Sequence, residues 1–180
     1  MKKIVVTFGL IAGAIMSAMM MLIVVPNVER IGLSKAEVIG YTSMVAGFLM
    51  VFFGTRAYRE SLGGTITFGK AFTVGILITV IACMCYVVAW EILYFNFEHD
   101  FMDKYAKMVV EQAKASGASP AAIEEQLQQM NKFKELYENP FFNAALTFVE
   151  PFPVGLVMTL ISSAILRRKK PALAPLPENS

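Results

Sequence analysis

Two carboxylates stand inside apolar runs of this chain, and their type and setting make them the residues best placed to do chemistry. Glu91 lies in AWEILYF and Glu150 in FVEPFPVG. An ionisable side chain within a membrane-depth run is costly, so each is a candidate functional group by default. Brought together between two helices, the pair would form a polar pocket able to hold a proton or a cation. Tyr86 and Trp90 flank Glu91, and Pro151 and Pro153 follow Glu150, completing the candidate site. Each proline removes an intrahelical hydrogen bond, which predicts a kink or break beside Glu150. Broken helices accompany transport sites in some folds. The plainer reading is that both acids reach interfacial water, or satisfy backbone groups freed by the prolines, with Tyr86, Trp90 and Tyr94 forming an outer aromatic belt.

Depth bears on the choice. Glu91 follows Lys70 by 21 residues and Glu150 precedes Arg167 by 17, which is about 31 Å and about 26 Å along upright helices. Both acids therefore belong to the outer third of a bilayer, at similar height. Whether they face each other is a matter of tertiary structure.

The elements that must position them are spanning helices. Of the 180 residues, 56% are hydrophobic and only 17% charged, with a mean hydropathy of +0.57; soluble domains run at roughly 45–50% apolar and about 25% charged. The charges gather in a few connections and leave four apolar runs, about 4–25, 36–54, 71–97 and 141–166. Each is long enough to cross roughly 30 Å of hydrocarbon. The first resembles a signal peptide in following Lys2 and Lys3, but it exceeds the usual apolar core of about 7–15 residues, and an uncleaved span is the better reading. Pro26 is expected to end it, and Ser34 to cap the second helix, whose Glu37 suits the positive end of the dipole.

Between spans three and four, residues 98–139 read as two amphipathic helices. Phe101, Tyr105, Met108 and Val109 are spaced helically in the first, and Ile123, Leu127, Met130 and Tyr137 in the second. Gly117 is the expected helix stop, Ser119 the N-cap and Pro120 the first helical residue of the next. The two stripes would cover each other in a hairpin outside the bilayer. The fold expected is thus an all-α integral membrane four-helix bundle (1–170) with an extramembrane helical hairpin, followed by a disordered, proline-rich tail (171–180). Lysine and arginine collect at the N-terminus, in the Arg56/Arg59/Lys70 connection and in Arg167–Lys170, whereas 98–139 carries eight acids against five lysines, a local charge of 5 − 8 = −3. By the positive-inside rule both termini are expected to be cytoplasmic and the hairpin outside, which in a bacterium corresponds to the cytoplasmic (inner) membrane with the hairpin in the periplasm.

Other patterns carry less chemistry. Gly64 to Lys70 fits the glycine–lysine spacing of a nucleotide-binding loop, but Ala71 replaces the Mg²⁺-holding hydroxyl, and a spanning helix precedes it rather than a strand. No nucleotide is expected. Arg56, Arg59, Lys70 and the backbone at Gly69 suit an anionic lipid at the cytoplasmic face; plain positive-inside anchoring is the alternative. Gly9, Gly13 and Ser17 give the first helix a small-residue face, for internal packing or for a dimer seam. With one histidine and two cysteines, both in one apolar run, no metal site or cofactor is expected, and the net charge of +2 lacks the basic stripe of a nucleic-acid binder. No set of catalytic residues emerges, so no enzyme is expected.

Four segments, YRESLGGTITFGKAFTVGILIT, YVVAWEILYFNFEHDFMDKY, GASPAAIEEQLQQMNKFKELYENP and TFVEPFPVGLVMTLISSAIL, together resemble a bacterial membrane family catalogued as domain of unknown function 4199. The likeness runs from about Gly40 to Lys169. It implies four spanning helices with a helical insertion before the last, and motif positions at Arg59, Gly64, Phe68, Lys70, Ala71, Gly75, Trp90, Glu91, Pro140, Glu150, Pro153 and Gly155. It implies no activity or cofactor. The leading functional expectation is a non-enzymatic interaction or accessory protein, its hairpin meeting a periplasmic partner or a second copy. The alternative is a small proton- or cation-coupled transporter or channel subunit using Glu91 and Glu150.

Overall fold

A computed structural model describes residues 1–168; the tail at 171–180 and the last two lysines of the basic cluster lie outside the described residues. The chain is all-α. In order come α1 (Lys2–Met19), a π-helical turn (Met20–Val24), α2 (Val25–Ile31), α3 (Leu33–Ser61), α4 (Phe68–Asn96), α5 (Phe101–Ala115), α6 (Pro120–Tyr137), α7 (Pro140–Val149) and α8 (Phe152–Leu166). Among the described residues four helical stretches are long and apolar enough to cross a membrane: Lys2–Ile31, Leu33–Ser61, Phe68–Asn96 and Pro140–Leu166.

Close helix contact depends on small residues. α1 packs on α4, where a Cβ at Gly9 would come within 2.7 Å of Ile81 and one at Gly13 within 2.4 Å of the Cys85 Cβ. The Gly9/Gly13 face is therefore used inside the bundle, not as a dimer seam. α8 meets α3 and α4 in the same way, with Gly155 against Thr79 and Phe48. Polar groups at this contact pair with one another: the Thr79 hydroxyl lies 3.1 Å from that of Thr159, and Ser163 donates to the Thr159 carbonyl at 2.7 Å. Around them Met16, Met44, Phe48, Val51, Val74 and Ile78 are fully or almost fully buried.

Three expected boundaries are corrected. Pro26 does not end the first helix; it enters the first turn of α2, directly after the π turn. The Val25 N–H there bonds to the Met20 carbonyl, five residues back. That widened turn shifts the ladder, so a residue without an N–H can follow without breaking the helix. Ser34 is not the cap of α3: the helix begins at Leu33 after Gly32, whose φ of 78° suits a residue without a side chain. Finally, α3 runs on to Ser61, and Arg56 and Arg59 stand on its last turns rather than in a loop; the i,i+4 pair of Arg56 Nε with Glu60, 2.9 Å apart, supports this extension. Only residues 62–67 turn the chain, through Gly63 and Gly64 at φ 78° and 85°.

The hairpin forms as its punctuation predicts. Gly117 has a φ of 79°, and the Ser119 hydroxyl accepts from the Ala122 N–H at 3.3 Å, with Pro120 opening α6. Lys134 of α6 pairs with Asp103 of α5 at 2.6 Å. The apolar stripes, however, do not only cover each other. They also fold down onto the bundle: Phe101 meets Trp90 edge-to-face at 4.9 Å, Tyr137 meets Tyr94 at 5.3 Å and Phe133 meets Phe142 at 6.2 Å between ring centroids. Aromatic faces that short amphipathic helices cannot bury in each other are buried in the end of α4 and α7.

Candidate functional site

The fourth span is interrupted at Glu150. α7 stops at Val149 and α8 starts at Phe152, leaving Glu150 and Pro151 between them. Pro153 falls within the first turn of α8, where a helix has no use for its missing N–H, so Pro151 is the residue that breaks the ladder. Glu150 is exposed at this interruption although it belongs to a spanning stretch.

Glu150 opens on two adjoining chambers between the bundle and the hairpin. The first, about 290 Å³, is walled by Glu150, Tyr86, Trp90, Phe101, Tyr137 and Thr147. The second, about 380 Å³, shares Glu150 and Tyr86 and adds Glu37, Tyr41, Ser43 and Tyr105. α5 roofs both through Phe101 and Tyr105, and α6 adds Tyr137 to the first. Met20 and Val24 of the π turn line both chambers, in keeping with the frequency of π turns at functional sites. No lysine, arginine or histidine is among the residues lining either chamber. Among the described residues the ion pairs involve Glu60, Glu98, Asp100 and Asp103, so neither Glu37 nor Glu150 has a cationic partner. The chemistry on offer is that of carboxyl groups inside aromatic walls.

Buried polar groups hold the hairpin end in place. Asn143, fully buried, donates to the Tyr137 carbonyl at 3.2 Å and accepts from the Thr147 hydroxyl at 3.3 Å. The Asn139 side chain caps α7 by accepting from the Phe141 and Phe142 N–H groups at 3.0 and 3.4 Å. The Tyr137 hydroxyl lies beside Thr147 and Trp90, and burial pushes its pKa up to about 12. The Trp90 N–H is buried near that hydroxyl yet outside hydrogen-bond geometry with any acceptor. Tyr105 also titrates above its usual range, first through burial and then through the charges of Glu37 and Glu150.

The sequence-predicted residues divide. Tyr86 and Trp90 share the first chamber with Glu150, and Pro151 makes the break that exposes it. Glu91 does not line either chamber. Successive helical residues point about 100° apart, so with Trp90 turned to the chamber, Glu91 is turned away; its Oε1 is buried without a hydrogen-bond partner. The carboxylate that joins Glu150 is Glu37, which sequence reasoning treated only as a helix-dipole residue. Its one sequence signal is an acid at the start of span two, the end remote from Arg56 and Arg59, level with the expected height of Glu150. At the other end of the bundle, Arg56 is paired with Glu60, the Arg59 Nε is buried without a partner, and Gly69 and Lys70 are exposed in the first turn of α4. The Thr67 hydroxyl caps that helix by accepting from the Lys70 N–H at 3.4 Å, and Ile66 bridges to Arg168.

Among the described residues no three His, Cys, Asp or Glu side chains converge as metal ligands. No curated protein and no solved structure matches the chain. A family model described as "Protein of unknown function (DUF4199)" matches residues 7–168, taking in the opening helix that lay outside the resemblance read from the sequence. Built as four membrane-span-like helices with a hairpin folded over their end, the chain belongs to the DUF4199 family.

Proposed function

We propose that this is a non-enzymatic membrane protein that binds a small organic cation in the chambers beneath the hairpin, with Glu150 as the principal counter-charge. One observation carries the reading: a broken spanning helix opens a carboxylate onto chambers whose walls contain aromatic rings and no basic side chain. A carboxylate supplies the charge partner, while tyrosine and tryptophan faces attract a desolvated ammonium group. A hard metal ion fits less well, since magnesium and calcium need about six or more oxygen ligands. The hairpin then serves as a roof over the ligand, and its outward surface is left for a periplasmic partner or a second copy. In this reading the termini are cytoplasmic in a bacterial inner membrane, and the basic end meets anionic lipid.

The chain's single tryptophan lies in the wall of the first chamber, which makes it a built-in reporter. Purified protein titrated with butylamine or tetramethylammonium should show a saturable change in Trp90 emission, weakened at least about tenfold in Glu150→Gln. Absence of a saturable change, or the same affinity in the variant, refutes the proposal. The interruption at Glu150 favours a second reading, passage of the cation across the membrane, because discontinuous helices line many transport sites. Proteoliposome flux that Glu150→Gln leaves at the wild-type rate refutes that one.

A further inference from the structure

The second chamber is built differently from the first, and the difference bears on the ligand. It holds two carboxylates, Glu150 from the break in the fourth span and Glu37 from the first turns of α3. Both are exposed, and neither has a cationic partner among the described residues. Tyr105, on the roof helix α5, lines the same chamber, and the charges of both carboxylates add to burial in raising its pKa. Tyr41 and Tyr86 complete the wall, while Met20, Val24, Val28 and Met44 supply apolar surface.

Two anionic groups in one confined space repel each other when both are charged. A single ammonium group satisfies one of them and leaves the other. Water can solvate the second, but the apolar surface around it then stays wet. A ligand with an ammonium group at each end and an alkyl chain between them satisfies both acids and covers that surface as well. We infer that the site takes an aliphatic diammonium compound, one ammonium group on Glu150 and the other on Glu37, with its alkyl chain against the methionine, valine and tyrosine walls. This inference rests on the cation-binding reading above and goes beyond it by naming a second anchoring residue and the chemical class of ligand. Phosphate-bearing amines fit poorly, because nothing basic lines the chamber to receive the phosphate.

The test compares matched amines on the intact protein in detergent, with Trp90 emission and thermal stability as readouts. Putrescine and butylamine share a four-carbon chain and differ in the second ammonium group. Wild type should bind putrescine at least about tenfold more tightly than butylamine, the effect of one additional charge-assisted contact. Glu37→Gln should remove that preference, so that putrescine binds this variant no more tightly than butylamine does. Glu150→Gln should weaken both amines. Glu37 is exposed near a helix end, so the Gln variant should fold; its melting temperature without ligand checks this. Equal affinity for the two amines in wild type overturns the two-carboxylate assignment and leaves the cation-binding reading standing, and that comparison needs no variant. A putrescine preference that persists in folded Glu37→Gln overturns the role of Glu37. If neither amine produces a saturable response, both readings fall.

Discussion

Tyr137 is the residue through which the attachment of the hairpin should become pH-dependent. Only 8% exposed, it packs on Tyr94 and Phe133, and its hydroxyl lies beside Thr147 and Trp90. Burial favours the neutral phenol and raises its pKa from 10.0 to about 12. A raised pKa means that the docked state holds the proton more tightly than the undocked one. The resulting stabilisation is fully present below pH 10 and is lost as pH rises from 10 towards 12. Two pKa units correspond to about 2–3 kcal/mol, enough to change the docked-to-free ratio of a hairpin about a hundredfold. Acrylamide quenching of Trp90 reads this directly, because Phe101 of the hairpin covers that ring. Wild-type quenching should stay flat to about pH 10 and rise steeply above it, in step with tyrosinate absorbance. In Tyr137→Phe the rise should be much smaller, the part that is left coming from Tyr105, with only the small cost of a lost hydroxyl contact, about 1 kcal/mol, at neutral pH. The ion pairs of Lys104 and Lys134 also weaken in strong alkali, but they are present in both proteins and cancel in the comparison. Identical alkaline profiles for wild type and Tyr137→Phe would refute the assignment of Tyr137 as the buried anchor.

Two further substitutions test the packing. Gly155→Ala places a Cβ 2.4 Å from Thr79 Cγ2 and 2.8 Å from the Phe48 ring, and should cost about 1–3 kcal/mol, read as a lower melting temperature; Gly69→Ala, with nothing within 4 Å, should be neutral or slightly stabilising in the same assay. Ser119→Ala removes the hydroxyl that caps α6 and should cost about 1 kcal/mol, seen as faster hydrogen exchange in the first turn of that helix while α4 exchange is unchanged.

Much of the architecture was legible because membrane crossing is a one-dimensional constraint. A run of apolar residues long enough to span hydrocarbon must become a helix, whatever it packs against. The hairpin was legible for a similarly local reason: Gly117, Ser119 and Pro120 act on their own backbone neighbours. Pro26 was misread because proline's effect depends on the hydrogen-bond register it enters, and a π turn upstream changes that register without a clear mark in the sequence. The same limit applies to Gly9 and Gly13, whose small-residue face is visible in the sequence but whose partner, α4, is not.

The carboxylates show the division most sharply. The sequence by itself placed Glu150 in the part of the fourth apolar run remote from the basic cluster, by counting residues from Arg167, and predicted a kink or break there from Pro151 and Pro153. It also supplied Tyr86 and Trp90 as aromatic neighbours at that level. Only the tertiary structure decided which second acid shares the space. A step of one residue turns a helical side chain by about 100°, so the rotation of α4 presents Trp90 to the chamber and carries Glu91 away, while the packing of α3 brings in Glu37. Height along a membrane can be counted from residues, but azimuth is set by which helices pack together, and that is a property of the folded chain.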